Sequence, residues 1–239
     1  LIADFVFKMF FLLYVFRTAD NLPLQEFQRT LLVQVISEFP RAEKVRFNLE
    51  IPFHDTHFTD EYARKDVDWG RETHTREAHL VFTDGTLREF RMAWWKAFGP
   101  ARIEYLPPSV EILSITYGTQ YLPLNTRRLP RALRIVDLRG NAIRGSVDFR
   151  GLPTQLMTLN LRGNRLTGRV TLVHLPPNFE TLDLRSNDFK QKDIHYGPLP
   201  ESIQKVYLRF TRINSAKPIL KEFQSPREGL IFDFTDGVF

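Results

Sequence analysis

Apolar and polar positions along the chain repeat at a nearly constant step. A Leu-Pro pair recurs at Leu106, Leu129, Leu152, Leu175 and Leu199, with three equal intervals and a fourth that is one position longer. Four positions after each stands an apolar residue: Val110, Leu133, Leu156, Phe179 and Ile203. Each opens the same order, apolar-x-x-apolar-x-apolar, as in LRIVDL, LMTLNL and FETLDL. The same interval counted back from Val110 lands on Leu87, which opens LREFRMA with Phe90 and Met92 in register. The inner part of each unit alternates with period two and predicts a short strand with one buried face. Asn141, Asn164 and Asn187 follow at a fixed offset. They are expected to turn the chain off the strand and to satisfy backbone groups of neighbouring turns. Gly145 and Gly168 come next, then Val147, Phe149, Val170 and Leu172, then the next Leu-Pro. That return arm is too short and too rich in Gly and Pro for a regular helix, so it predicts extended or 3₁₀ segments. One unit cannot bury its own leucines. Stacking must supply the core, which predicts a solenoid with a parallel sheet along one side.

Units such as LRGNAIRGSVDFRGLP and LRGNRLTGRVTLVHLPP resemble the leucine-rich-repeat family. Their LxxLxLxxNxLxGxxxLxxLP form is most similar to the 23-residue repeats of trypanosomatid (kinetoplastid) proteins. The resemblance covers about residues 84–213, and the units Leu87–Trp95 and Val110–Tyr121 depart from it, with Trp95 and Gly118 where the Asn would stand. It implies an α/β repeat solenoid: a curved, horseshoe-like array with short parallel strands and mostly irregular or 3₁₀ return arms. Such arrays serve protein interaction, and the family carries no catalytic residues to transfer.

An exposed repeat end is an apolar surface that needs covering. Residues 1–40 read as a helical N-terminal cap. Its second helix starts at Asp20 or Asn21, has Pro23 in its first turn, and stops before Pro40, with Phe27, Leu31, Leu32, Val35 and Ile36 on one face. Residues 41–83 read as an irregular first strand (Val45–Ile51) followed by a polar insertion. Residues 52–76 of that insertion are expected to project as a loop or a helix-containing excursion. A hairpin or tight corner is expected around Asp84-Gly85. The array spans 84–213, and 214–239 form a C-terminal cap in which Gly229–Phe234 supply a last strand.

Composition narrows the chemistry. The 239 residues are 43% apolar and contain no cysteine, which removes disulfides, thiolate metal sites and cysteine nucleophiles. Together with the lack of cysteine-stapled caps this reads as intracellular, in the cytoplasm or cytoskeleton, with the mitochondrion as an alternative. The chain opens on Leu1, which reads as the inside of a longer gene product or the product of processing. The apolar run Met9–Phe16 is too short to span a bilayer, lies between Lys8 and Arg17, and reads as a buried helix, so no membrane partner is favoured. The net charge of +5 permits an acidic partner without requiring one.

Little in the chain points to catalysis. His54 and His57 with Asp55 and Asp60 are the one cluster of metal-ligand type, and a solvated loop explains them better than a metal site. There is no Gly-rich phosphate loop and no nucleophile elbow. The expectation is a non-enzymatic chain without cofactor, metal or small-molecule substrate.

The informative surface is the face of the sheet turned away from the leucines, because alternate strand residues share a face and neighbouring strands lie about 4.8 Å apart. One column reads Thr116, Arg139, Arg162, Arg185 and Arg209; the next reads Ser114, Asp137, Asn160, Asp183 and Tyr207; beside them run Ile112, Ile135, Thr158, Thr181 and Lys205. Two carboxylates against four arginines leave a net positive stripe suited to bidentate contact with carboxylate or phosphate. The candidate partner-binding residues are therefore Asp137, Arg139, Asn160, Arg162, Asp183, Arg185, Tyr207 and Arg209. The alternative is that Arg was copied with the repeat and carries no binding role. Trp94 and Trp95 close the first unit, as core filling or as a surface anchor. The leading functional reading is an interaction or scaffold subunit of a large assembly of cytoskeletal or axonemal type, whose partners are other proteins with an acidic surface. The alternative is a ribonucleoprotein subunit or assembly factor, such as one of a mitochondrial ribosome. Arg127, Arg128 and Arg131 add to its appeal, and the lack of aromatic residues interleaved with the arginines speaks against it.

Overall fold

The computed structural model describes residues 24–38, 57–62, 76–83, 86–94, 99–189, 193–208, 219–222 and 231–233. Its chain winds as a β-solenoid of stacked parallel strands. The apolar-x-x-apolar-x-apolar positions form one ladder. From Leu87, Phe90 and Met92 to Ile203, Val206 and Leu208, each is at most 7% exposed. Val110, Leu133, Leu156, Phe179 and Ile203 belong to a single core.

The main sheet has nine strands in spatial order β1 (His57–Tyr62), β2 (Arg76–Thr83), β3 (Thr86–Ala93), β4 (Ile112–Thr116), β5 (Ile135–Asp137), β7 (Thr158–Asn160), β10 (Thr181–Asp183), β12 (Lys205–Tyr207) and β14 (Ile231–Asp233). From β3 onward the pairing is parallel and each strand sits one coil from the last, with Phe90 opposite Leu113, Val136 opposite Leu159, and Leu182 opposite Val206. The return side carries two smaller parallel sheets. One is β6 (Arg144–Gly145) with β8 (Arg165–Leu166); the other is β9 (Thr171–Leu172), β11 (Asp193–Tyr196) and β13 (Ile219–Glu222). The arms otherwise pass through 3₁₀ turns at Ile103–Tyr105, Thr126–Arg128 and Phe149–Gly151, as the short Pro- and Gly-rich segments predict.

The asparagines form a ladder of their own. Asn187 Nδ2 donates to the carbonyls of Leu161 (2.9 Å) and Leu184 (3.0 Å), and its Oδ1 accepts from the Leu166 amide at 3.0 Å. Asn164 repeats this with Leu138, Leu161 and Ile143. Asn141 reaches Ile115 and Leu138, and where the preceding coil has Gly118 instead of Asn, the Gly118 amide donates to its Oδ1. Each side chain thus ties its own turn to the coil before it.

Three expectations change. Strand rather than helix is the regular structure of the described chain, in place of the expected α/β: among the described residues the one α-helix is α1 (Leu24–Val35). That helix is also shorter than its sequence suggests. Ser37 N bonds Gln34 O at 3.1 Å, an i−3 contact that tightens the last turn before Pro40. The polar stretch 52–76 contains β1, paired antiparallel with β2, which itself pairs antiparallel with β3 across a hairpin joining Thr83 to Thr86. Aromatic and Thr residues in HFTDEY suit an edge strand whatever its polarity. At the other end, the strand expected within Gly229–Phe234 is present as β14, and β13 and β14 each extend a parallel sheet by a further coil. Val45–Ile51, the first of the two expected N-terminal helices and the Met9–Phe16 run lie outside the described residues.

Helix α1 lies against the start of this stack. Leu32, Val35 and Ile36 are buried, while Phe27 and Leu31 are half-buried. The buried Gln28 accepts a 2.6 Å hydrogen bond from Leu87 N, and Val35 O accepts one of 2.8 Å from Arg102 N.

Candidate functional site

The register of the main sheet brings the sequence-derived columns together. Arg91, Ser114, Asp137, Asn160, Asp183 and Tyr207 are successive partners. So are Glu89, Ile112, Ile135, Thr158, Thr181 and Lys205. The Arg column continues past the strand ends: Tyr117 N bonds Arg139 O, Gly140 N bonds Arg162 O, and Gly163 N bonds Arg185 O, at 2.8–3.0 Å. Arg209 lies outside the described residues.

The column residues differ in what they are free to do. Asp137, Asn160 and Asp183 each accept, through Oδ1, the backbone N–H of the arginine two positions on, at 3.0–3.2 Å. They hold the turn at which the chain leaves the strand, a local job that Asp and Asn share. Arg185 is committed. Its Nη2 lies 2.6 Å from Asp183 Oδ2, its Nε reaches both carboxylate oxygens, its guanidinium stands 4.4 Å from the Tyr207 ring centre, and its side chain is 11% exposed. Arg139 is loosely held, 3.5 Å from Asp137 and 46% exposed. Arg162, whose neighbour is Asn160 instead of Asp, makes no ion pair among the described residues. The positive stripe is therefore narrower than four arginines suggest.

Four residues that the sequence columns omitted extend this face. Arg91 and Glu89 lie one coil step before Ser114 and Ile112, and β2 adds His79 opposite Arg91 and Val81 opposite Glu89. One repeat interval counted back from Ser114 would have found Arg91; the antiparallel strand β2 has no such signal. Here a hollow of about 470 Å³ opens over the small side chains Ala93, Ser114 and Thr116, with Arg91 and Arg139 on its rim. Arg91 also pairs with Glu89 at 2.8 Å.

Aromatic residues do adjoin the arginines, against the expectation from sequence. The Trp94 and Tyr117 rings stack at 4.3 Å with planes 6° apart, and Arg139 stands 5.9 Å from the centre of the Tyr117 ring. Trp94 is half-buried and belongs to this edge stack rather than to the leucine core. Both residues have left-handed backbone, φ +62° and +51°, a conformation that bulky side chains rarely adopt. Trp95 lies outside the described residues.

Burial raises the Asp137 pKa above the ordinary 3.8, opposed by the hydrogen bond from Arg139 N and the Arg139 charge. A raised carboxylate pKa means that ionisation is costlier in the folded chain than in the unfolded one. That penalty is absent below the unfolded value and grows as pH rises through it towards the folded value. Asp137→Asn keeps the turn, as Asn160 shows. It should raise the melting temperature at pH 7, with the gain over the parent closing as pH falls to about 3.8. Equal melting curves at pH 7 would contradict the burial penalty.

Among the described residues no three His, Asp or Glu side chains gather closely enough to share a metal ion, and no helix is long and apolar enough to cross a membrane. His54 and Asp55 lie outside those residues. No protein-family model matches the chain, and no curated protein matches it in sequence.

Proposed function

We propose that the chain is a leucine-rich-repeat interaction module, a non-enzymatic scaffold subunit of a large intracellular assembly of cytoskeletal or axonemal type. On this reading the exposed face of the main sheet takes an acidic segment of a partner protein. The observation that carries it is the hollow over Ser114 and Thr116, rimmed by Arg91 and the exposed Arg139 and continued along the sheet by Arg162. A carboxylate approaching there meets Arg162, which makes no ion pair among the described residues, and the guanidinium donors left over by the Arg91–Glu89 and Arg139–Asp137 pairs. The exposed Ile135 in the adjoining column adds apolar contact area. Charge-assisted bonds of this kind contribute about 1.5–3 kcal/mol each when desolvated.

A ribonucleoprotein subunit, such as one of a mitochondrial ribosome, is the second reading, favoured by the Arg139–Tyr117 and Arg185–Tyr207 pairs. It is weaker because the Tyr117 ring is already engaged: Trp94 stacks on it and the Gly140 backbone packs against it.

The test reverses Arg139→Glu and Arg162→Glu together and leaves Arg185 in its structural pairing. Tagged parent and variant are compared by co-purification, each with and without nuclease. The protein reading expects partners that survive nuclease and fall at least about tenfold in the variant. Unchanged recovery in the variant would remove this face as the docking surface. Loss of all partners on nuclease treatment would favour the second reading, with steep salt dependence as its companion sign.

A further inference from the structure

We infer that a second site, inside the coil that follows β4, binds a compact apolar molecule carrying one carboxamide or lactam group, with Gln120 as its recognition residue. The repeat itself provides the comparison. Gln120 stands one repeat interval before Ile143, which is followed at the same step by Leu166 and Phe189. Those three are at most 2% exposed and fill the interior of their coils. Gln120 is 7% exposed, so a polar amide has been placed where the next three coils bury hydrocarbon.

Its backbone is satisfied: Gln120 N donates to Asn141 Oδ1 at 3.2 Å, and Gln120 O accepts from Ala142 N at 2.9 Å. Its side-chain amide has no hydrogen-bond partner among the described residues. A buried amide without a partner costs free energy comparable to a lost hydrogen bond, so an unpaired one in an otherwise regular array calls for an explanation.

The space beside it supplies one. Gln120 lines a cavity of about 330 Å³ whose walls include Ile103, Leu124, Leu129, Leu138 and Ile143. Asn125 and Arg128, both exposed, line it as well, while Glu104 is held by Arg102 at 2.8 Å. Such a cavity, apolar except for a few placed polar groups, is the usual design of a small-ligand site. A primary amide presents a donor and an acceptor side by side. The complementary ligand edge is another amide or lactam, and the aliphatic walls select an aliphatic body.

The probe is ε-caprolactam, with N-methylcaprolactam, which cannot donate, as its partner compound. Binding to the intact chain is read by calorimetry and by the Gln120 side-chain amide resonances. The expected result is a saturable shift at millimolar ε-caprolactam, weakened roughly tenfold by N-methylation. Gln120→Leu should abolish binding and raise the melting temperature, since Leu166 occupies the same position in the next coil but one. The site is overturned if ε-caprolactam gives no saturable shift, or if N-methylcaprolactam binds equally well. It is also overturned if a folded Gln120→Leu chain binds as the parent does. The methyl comparison needs no variant, so a Gln120→Leu chain that failed to fold would not protect the idea.

Discussion

Asn187→Ala should lower the stability of the chain by on the order of 3–5 kcal/mol, more than any exposed-face substitution. Asn187 is fully buried, donates to Leu161 O, Leu184 O and Arg185 O, and accepts from Leu166 N. Alanine leaves an amide and carbonyls of two coils without these partners, in a place water cannot reach. Each orphaned group costs about 1–3 kcal/mol. The loss is not confined to one coil, because in a stacked array each coil is stabilised mainly through its neighbours. Asn141 is the internal control. It makes the same kinds of bond but is only half-buried, so water can take over part of its work and Asn141→Ala should cost clearly less. Urea unfolding of both variants measures the difference. An unfolding free energy for Asn187→Ala within about 1 kcal/mol of the parent's would show that the ladder is ornament.

What could be read from the sequence, and what could not, divides along the coil step. Leucine ladder, asparagine turns and 3₁₀ return arms were legible because burial in a solenoid is set by local order and copied from coil to coil. Leu133 announces Leu156 and Asn164 announces Asn187. Strands β1 and β2 escaped because an antiparallel hairpin obeys no repeat interval, and HFTDEY is polar enough to resemble a loop. The face columns were legible as positions but not as chemistry. Arg139, Arg162 and Arg185 look alike in sequence. Only the packing shows that Tyr207, one coil beyond Asp183, covers Arg185 and leaves Arg139 open. Gln120 was legible in principle, as a polar residue at an apolar repeat position. Its meaning depends on a cavity that no spacing reveals.

One further column was hidden by its own composition, and it carries the second large prediction. Trp94, Tyr117, Gly140, Gly163 and Ser186 follow one another at the repeat interval, and all have left-handed backbone, with φ between +51° and +68°. Each marks the same turn beyond the strand. Gly adopts it without penalty; in the first two coils aromatic residues hold it under strain, stacked on one another. The stack ends on Gly140, where an added Cβ would lie 2.4 Å from Tyr117 Cδ1 and 2.7 Å from Cε1. Gly140→Ala should therefore cost about 2–4 kcal/mol, the sum of left-handed strain and displacement of the Tyr117 ring. Gly163 has the same φ of +68°, but its added Cβ would find only Gly140 backbone at 3.5 Å or more. Gly163→Ala should thus show the strain alone, about 1–2 kcal/mol. The cycle closes with Tyr117→Gly, which removes the ring that Gly140→Ala strikes. In that background Gly140→Ala should fall to the cost of Gly163→Ala, a coupling of about 1–2 kcal/mol between positions 117 and 140. Additive costs, or equal penalties at 140 and 163, would mean that the ring yields freely and that the aromatic stack imposes nothing on the glycine beneath it.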